Sequence, residues 1–390
     1  MSLLCAPTST AVCRTCGRTQ PADATLCVHC RNPLSPPRKP PAAGDSAASA
    51  AALEHATDHT LCLDALLATL AEARREPGAC PPFDAGAWDA YLSLFWARPE
   101  TALVLIAQHA AFADWLGDAA GLTLLDAGCG DGLHTAVMTG WRFDDAFDAF
   151  STVTTNIADL FDAPAVARPR ITRRGGTRLL GIDLKANTLA RARSLGCFAG
   201  LTRGDLTALP LPDASVDVLF SNMLGQLDDA SLRFALAEAR RVLRPEGRLV
   251  ASSLTPAFAQ AAYFWNEADE AARRNNAPLA DRLRTLDRGR HAFERLRDEP
   301  TWRAFLQEAG MKLLDRRGTI DVEVMRLWDV GLRPFAPALL ARAAALRDAD
   351  AWPVAKPMTL ELLHAALDPL LGKTLNPQRP CMQMLLACPA

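Results

Sequence analysis

The chain has 390 residues, 49% hydrophobic and 22% charged, the balance of a globular protein with room for one large domain and a small one. A formal charge of −2 gives no global pull toward nucleic acid or a membrane surface. The longest apolar stretch, Leu103 to Ala113, is interrupted by Gln108 and His109 and is too short to span a bilayer. Met1 to Cys5 opens without a basic segment ahead of a long apolar run, so a cytoplasmic protein with no membrane partner is expected.

Eleven cysteines are present, and four of them, Cys13, Cys16, Cys27 and Cys30, fall in a C-x2-C-x10-C-x2-C pattern. Two residues between thiolates let both face one ion on a tight knuckle, and two knuckles complete a tetrahedral site that suits structural zinc. A redox role for one Cys-x-x-Cys fits less well, because no βαβ pattern surrounds it. His29 lies inside the second pair as a fifth candidate, read as a bystander. The pattern resembles a zinc ribbon over residues 1–33. So small a unit has little core, and the metal would supply much of its folding energy. Across the first forty residues Arg14, Arg18, Arg31, Arg38 and Lys39 face only Asp23. This basic end reads either as a contact for nucleic acid or protein, or as a solvated structural module.

Residues 34–52 are rich in proline and alanine and read as a linker, stiff and then flexible. From Leu53 to Arg75 the leucines recur at helical spacing, and Pro77, Pro81 and Pro82 then break the chain. A second helical region runs from about Ala85 to Gly117, with Trp88, Tyr91, Leu92, Phe95 and Trp96 as core packing or as a lid.

Leu122-Thr-Leu-Leu-Asp-Ala-Gly-Cys-Gly-Asp-Gly132 follows. A buried-strand pattern ends in Asp126, and Gly128, Gly130 and Gly132 alternate before a helical pattern starts at Leu133. Glycines there let a backbone turn approach a ligand closely. This stretch resembles motif I of the class I S-adenosylmethionine (SAM)-dependent methyltransferases. An acidic residue is expected to close the second strand. Asp144, Asp145 and Asp148 lie near the expected distance, but their surroundings read as helix or loop. Arg178-Leu-Leu-Gly-Ile-Asp183 is the better strand, which implies an insertion of roughly 35–40 residues over 140–176.

Downstream, a third strand within Gly196 to Arg203 leads to Asp205 and Leu206. Val216 to Ser221 reads as a buried strand ending at Asn222, Ala230 to Leu243 as an amphipathic helix, and the Pro-Glu-Gly turn enters a further strand to Ser253. Strands alternating with helices imply a Rossmann-like, doubly wound and mostly parallel α/β sheet. The run 122–253 resembles the methyltransferase core of small-molecule, quinone- and biotin-pathway enzymes. Helical insertions are expected at 254–300 and 321–379, with Met311 to Asp315 as a sixth strand. For the closing strand Met382 to Cys388 is preferred over Thr319 to Trp328.

The resemblance implies that Asp126 meets the methionine end of SAM at the Gly128–Gly130–Gly132 turn, that Asp183 holds ribose, and that Asp205, with the amide of Leu206, meets adenine. Asn222 completes the cofactor-facing set. Methyl transfer from a sulfonium is an in-line displacement, so alignment and exclusion of water matter most, and a base is needed only when the acceptor must lose a proton. Conceivable bases are His134, Tyr263, Glu267 and His291, none singled out. Arg333 is a candidate clamp for an anionic substrate group. Ser221-Asn-Met-Leu224 stands where amino methyltransferases of bases and glutamine carry Asn-Pro-Pro-Tyr. The expectation is a methyltransferase domain over 53–390 acting on a small molecule. The alternatives are an RNA or protein methyltransferase recruited by the ribbon, or a SAM-binding interaction protein without turnover.

Overall fold

The computed structural model describes residues 10–12, 19–21, 45–117, 119–153, 164–287, 295–332 and 335–390. In chain order they form β1 (Thr10–Val12), β2 (Thr19–Pro21), α1 (Asp45–Arg74), α2 (Ala85–Leu94), α3 (Pro99–Leu116), β3 (Thr123–Ala127), α4 (Leu133–Met138), β4 (Arg142–Phe143), β5 (Ile171–Arg173), β6 (Arg178–Asp183), α5 (Ala186–Leu195), β7 (Phe198–Arg203) and β8 (Val216–Ser221). They continue with α6 (Asp229–Val242), β9 (Leu243–Leu254), α7 (Phe258–Ala261), α8 (Tyr263–Arg273), α9 (Ala277–Asp287), α10 (Glu299–Glu308), β10 (Met311–Asp321), α11 (Val322–Val330), α12 (Ala336–Asp348), α13 (Trp352–Leu367), α14 (Leu371–Leu375) and β11 (Pro380–Pro389).

Seven strands make one sheet in the order β10-β11-β9-β8-β3-β6-β7. β7, β6, β3, β8 and β9 pair in parallel, and β11 enters antiparallel between β9 and β10. Every residue of β3 is buried, as a central strand covered on both faces requires. Successive residues serve opposite layers. Leu124, Val218 and Val250 join α2, α3 and α4 on one side, while Leu125, Leu219 and Ala251 join α6 and α10 on the other.

The helices begin where local chemistry sets them. Asp84 caps α2 by accepting from the amide of Ala87 at 3.0 Å, Asp228 caps α6 through Ser231 at 2.8 Å, and Asp298 caps α10 through Thr301 at 3.0 Å. The second helical region divides into α2 and α3 because Pro99, at the first position of α3, has no N–H to continue the preceding helix. α1 starts at Asp45, so residues 45–52 of the segment read as linker are helical. Their alanines carry strong intrinsic helix propensity.

β11 is the closing strand. Thr319 to Trp328 is divided between the end of β10 and α11, and β10 runs six residues past the expected Asp315 to Asp321, paired with β11 along its length. The insertion between β3 and β6 folds its ends into the antiparallel β4–β5 ribbon and leaves Asp144, Asp145 and Asp148 in the following loop. The insertions after β9 and between β10 and β11 are helical, as α7–α9 and α11–α14. Cys13, Cys16, Cys27 and Cys30, with the basic residues beside them, lie outside the described residues, as do His291 and Arg333.

Candidate functional site at the C-terminal edge of the sheet

β3 lies between β6 and β8, the point at which strand order reverses, where open α/β sheets bind ligands at the carboxyl ends of their strands. The chain leaves β3 at Ala127 in a turn held from below. The amides of Gly128 and Cys129 donate to the carbonyl of Ile182 at 2.8 and 2.9 Å, and that of Gly130 donates to Asp183 Oδ2 at 2.9 Å. Gly128, Gly130 and Gly132 have φ of +89°, +55° and +76°, the left-handed region that disfavours side chains. Gly128 is constrained by space as well, since a Cβ there would stand 2.4 Å from Met223 Cγ.

Asp126 is 3% exposed and accepts a short hydrogen bond from the Thr135 hydroxyl of α4. Burial raises its carboxyl from 3.8 to about 7. The Thr135 bond opposes this, and Asp183 and Asp131 add to it. Asp183 is oriented by local bonds: Oδ1 accepts from the Lys185 amide at 2.8 Å and the Thr188 hydroxyl at 3.2 Å, while Oδ2 holds Gly130 and keeps room for a further donor. Asp131, a third carboxylate at the turn, accepts from the Leu133 amide at 3.2 Å, and burial raises its pKa against the pull of Arg191.

The remaining predicted residues arrive at the same edge. The amide of Gly204 donates to the Asp183 carbonyl at 3.2 Å, which brings Asp205 beside the end of β6. Asp205 Oδ1 accepts from the Thr207 amide at 3.0 Å, and Leu206 packs half-buried on the α6 side. Asn222 Oδ1 accepts from Ser252 at 3.0 Å. Ser221, fully buried, ties β8 to β3 by donating to the Ala127 carbonyl at 2.6 Å and accepting from the amides of Met223 and Leu224. Sequence reasoning passed over Thr135, Asp131 and Ser221. Asp131 stands between two motif glycines and was legible there; the partners of Thr135 and Ser221 are set by the fold.

Of the conceivable bases, His134 is beside the turn. Its Nδ1 is 2.9 Å from the Tyr91 hydroxyl of α2, and its ring packs on Phe220 with centroids 5.5 Å apart. Among the described residues its buried Nε2 has no hydrogen-bond partner. His109 of α3 stands 3.6 Å from Asp84, and Asp84 also takes Arg142 at 3.1 Å. Burial pushes His134 down to about 3 and His109 down to about 4, and it raises Tyr91. Near neutral pH His134 therefore meets the turn uncharged. Of the two readings of the aromatic helix, Trp88, Tyr91 and Leu92 are core residues, and Tyr91 also reaches the cofactor-turn helix. Tyr263 and Glu267 lie on α8.

The residues fit a cationic ligand bearing hydroxyl groups: three carboxylates surround a turn whose glycine backbone permits close approach. Two clefts of about 550 and 600 Å³ lie elsewhere, the first against α2 and α13 and the second beside β10 and α3. Among the described residues no group of three or more His, Cys, Asp and Glu side chains is placed to hold a metal, and no helix is long and apolar enough to cross a membrane.

Residues 165–251 match the family described as "Methyltransferase domain". The match takes in Asp183, Asp205, Leu206 and Asn222 and begins after the glycine turn. A malonyl-[acyl-carrier protein] O-methyltransferase of Pectobacterium atrosepticum is 29% identical over 192 residues, 49% of this chain and 58% of that protein. One of the same description from Yersinia pestis is 40% identical over 79 residues, 20% of this chain and 29% of its own length. The chain thus spans less than two thirds of the length of each of these relatives. Among solved structures, an S-adenosylmethionine-dependent methyltransferase from Mesorhizobium loti is 19% identical, covering 73% of this chain and 99% of its own at a TM-score of 0.38.

Proposed function

We propose that the protein transfers a methyl group from SAM to the carboxylate oxygen of a small acid or acyl thioester. The observation that carries the reading is the glycine turn at the strand-order reversal, ringed by Asp126, Asp131 and Asp183. SAM supplies an activated methyl on a sulfonium. In this reading the turn and Asp126 receive its methionine end, Asp183 its ribose, and Asp205, Leu206 and Asn222 its adenine side. α2 and α3, tied to α4 through Tyr91 and His134, keep water from the crevice.

A carboxylate acceptor is supported by two points. The relatives are named for O-methylation of a malonyl group, and the one histidine beside the turn is held near 3, too weakly basic to take a proton from an alcohol or phenol. An ionised carboxylate needs no base.

The same proposal keeps the division into a ribbon at 1–33 and a methyltransferase region at 53–390, a cytoplasmic location, and structural zinc on Cys13, Cys16, Cys27 and Cys30. Pairing of Val12 with Thr19 supports the ribbon, since the first cysteine pair falls in sequence between two paired strands. Recruitment of RNA or protein by the basic ribbon is the second reading, favoured by five cations against one acid across the first forty residues.

Incubation with methyl-labelled SAM and a cell extract fractionated into small molecules, RNA and protein tests the choice. Base-labile label in the small-molecule or acyl-thioester fraction supports the proposal. Label in RNA or in protein side chains supports recruitment by the ribbon and contradicts it.

A further inference from the structure

The insertion that follows α4 and the helices between β10 and β11 are the parts of the chain that the cofactor site leaves unused. They meet each other against α2 and enclose the cleft of about 550 Å³, a size typical of small-molecule sites. Its walls are largely apolar, with Phe143 and Phe147 from the insertion, Leu94 from α2, and Trp352, Pro357 and Leu360 from α13.

The polar groups of the cleft are arranged unequally. Both lining cations are committed to the protein. Arg142 holds Asp84 at 3.1 Å and the carbonyls of Val137 and Trp141 at 2.9 Å, and the buried Lys356 ammonium donates to the carbonyls of Asp145 and Phe147 at 2.9 Å. The lining carboxylates are less fully occupied. Asp145 is exposed and in no ion pair among the described residues, Asp89 has His364 at 3.5 Å, and Asp144 meets the exposed Arg170 at 3.1 Å. Trp352 is 8% exposed, and its indole N–H has no acceptor among the described residues. That N–H is shut off from solvent, so the carboxylates are the polar groups the cleft offers a ligand.

The cleft is also separated from the methyl-donor turn. Gly86, Ala90 and Ser93 lie on one face of α2 and line the cleft, while Tyr91 projects from the other side of that helix to His134. The cleft reaches Val137 near the C-terminal end of α4, whereas the glycine turn precedes the first residue of that helix.

We propose that this cleft is a second binding site, separate from the methyl-donor site, for an elongated apolar amine. The apolar walls take the body, and the carboxylates of Asp89 and Asp145 take the ammonium at the mouth.

The full-length protein is titrated with 4-(aminomethyl)benzophenone, which joins an apolar body to an amine and forms covalent adducts on illumination. The anionic 4-benzoylbenzoate is the comparison. The amine is expected to bind saturably and about tenfold tighter than the acid, a preference of the size given by two partly screened carboxylates. Peptide mapping should place its adducts on α2, the 143–147 loop and α13, with the pattern unchanged by saturating SAM. Asp89→Asn with Asp145→Asn should reduce the preference to about twofold, and Ser93→Phe, which fills the cleft, should abolish labelling while the melting temperature stays within a few degrees. Adducts scattered over the surface, equal affinity for amine and acid, adducts displaced by SAM, or labelling that persists in a folded Ser93→Phe protein would each overturn the proposal. None of these readouts depends on methyl transfer.

Discussion

Replacing Asp126 by asparagine should make the ligand-free protein more stable, and the gain should depend on pH. The folded carboxyl titrates near 7, against an ordinary value of 3.8, chiefly because it is buried. A difference of roughly three units corresponds to about 4 kcal/mol between the two protonation states. Between the two values the folded state holds a proton that the unfolded chain has released, so stability falls as pH rises from about 4 to about 7 and is level above that. Asparagine removes the ionisation and keeps an oxygen for the Thr135 hydroxyl. The expected gain is near zero at pH 4, about half its full value at pH 5.5, and up to about 4 kcal/mol at pH 8. Urea unfolding of both proteins at those three pH values measures it. A variant that is less stable at pH 8, or whose gain is the same at all three, would refute a buried and strained carboxylate at the turn. The same substitution should weaken SAM binding, because the charge that destabilises the empty turn is the one assigned to the cofactor's cationic end.

Other expectations bear on the same edge. Gly128→Ala should cost roughly 1–2 kcal/mol from its left-handed φ alone and more from the approach of Met223. Adding Met223→Ala should recover only the second part, as thermal melts of the single and double variants would show. Thr135→Val leaves Asp126 without its hydroxyl partner and should destabilise by about 1–3 kcal/mol at pH 8, with a smaller loss near pH 4, read by the same urea series. Tyr91→Phe strands His134 Nδ1 and should cost about 1–2 kcal/mol; equal urea midpoints for the two proteins would contradict the bond. Metal analysis of the purified full chain should find about one zinc per molecule, lost in the Cys13→Ser, Cys16→Ser double variant; full zinc in that variant would contradict the four-thiolate site.

What could be read from the sequence was what local pattern encodes. The Asp126-to-Gly132 spacing marked the turn, and the apolar run ending at Asp183 distinguished the true strand end from Asp144, Asp145 and Asp148, which stand in a loop. β11 was identifiable because its long apolar run is buried, whereas Thr319 to Trp328 mixes the end of an edge strand with the start of a helix. Boundaries set by single residues were harder. Pro99 divides one helical pattern into two, and the alanines after Asp45 extend α1 into what read as linker. Contacts made across the fold were not legible at all. Ser221 on the Ala127 carbonyl joins residues 94 apart in sequence, and Tyr91 on His134 joins residues 43 apart. No periodicity records such pairs. The two clefts belong to the same class, since each is enclosed by segments distant in the chain.

The central claim is that the turn between β3 and α4 holds SAM, and titration calorimetry with SAM tests it most directly. The wild-type chain should bind one SAM, and Asp183→Asn, which retains a hydrogen-bond acceptor but loses the charge assigned to the ribose, should bind about 10- to 100-fold more weakly. Absence of binding to the wild type, or equal affinity in the variant, would contradict the account.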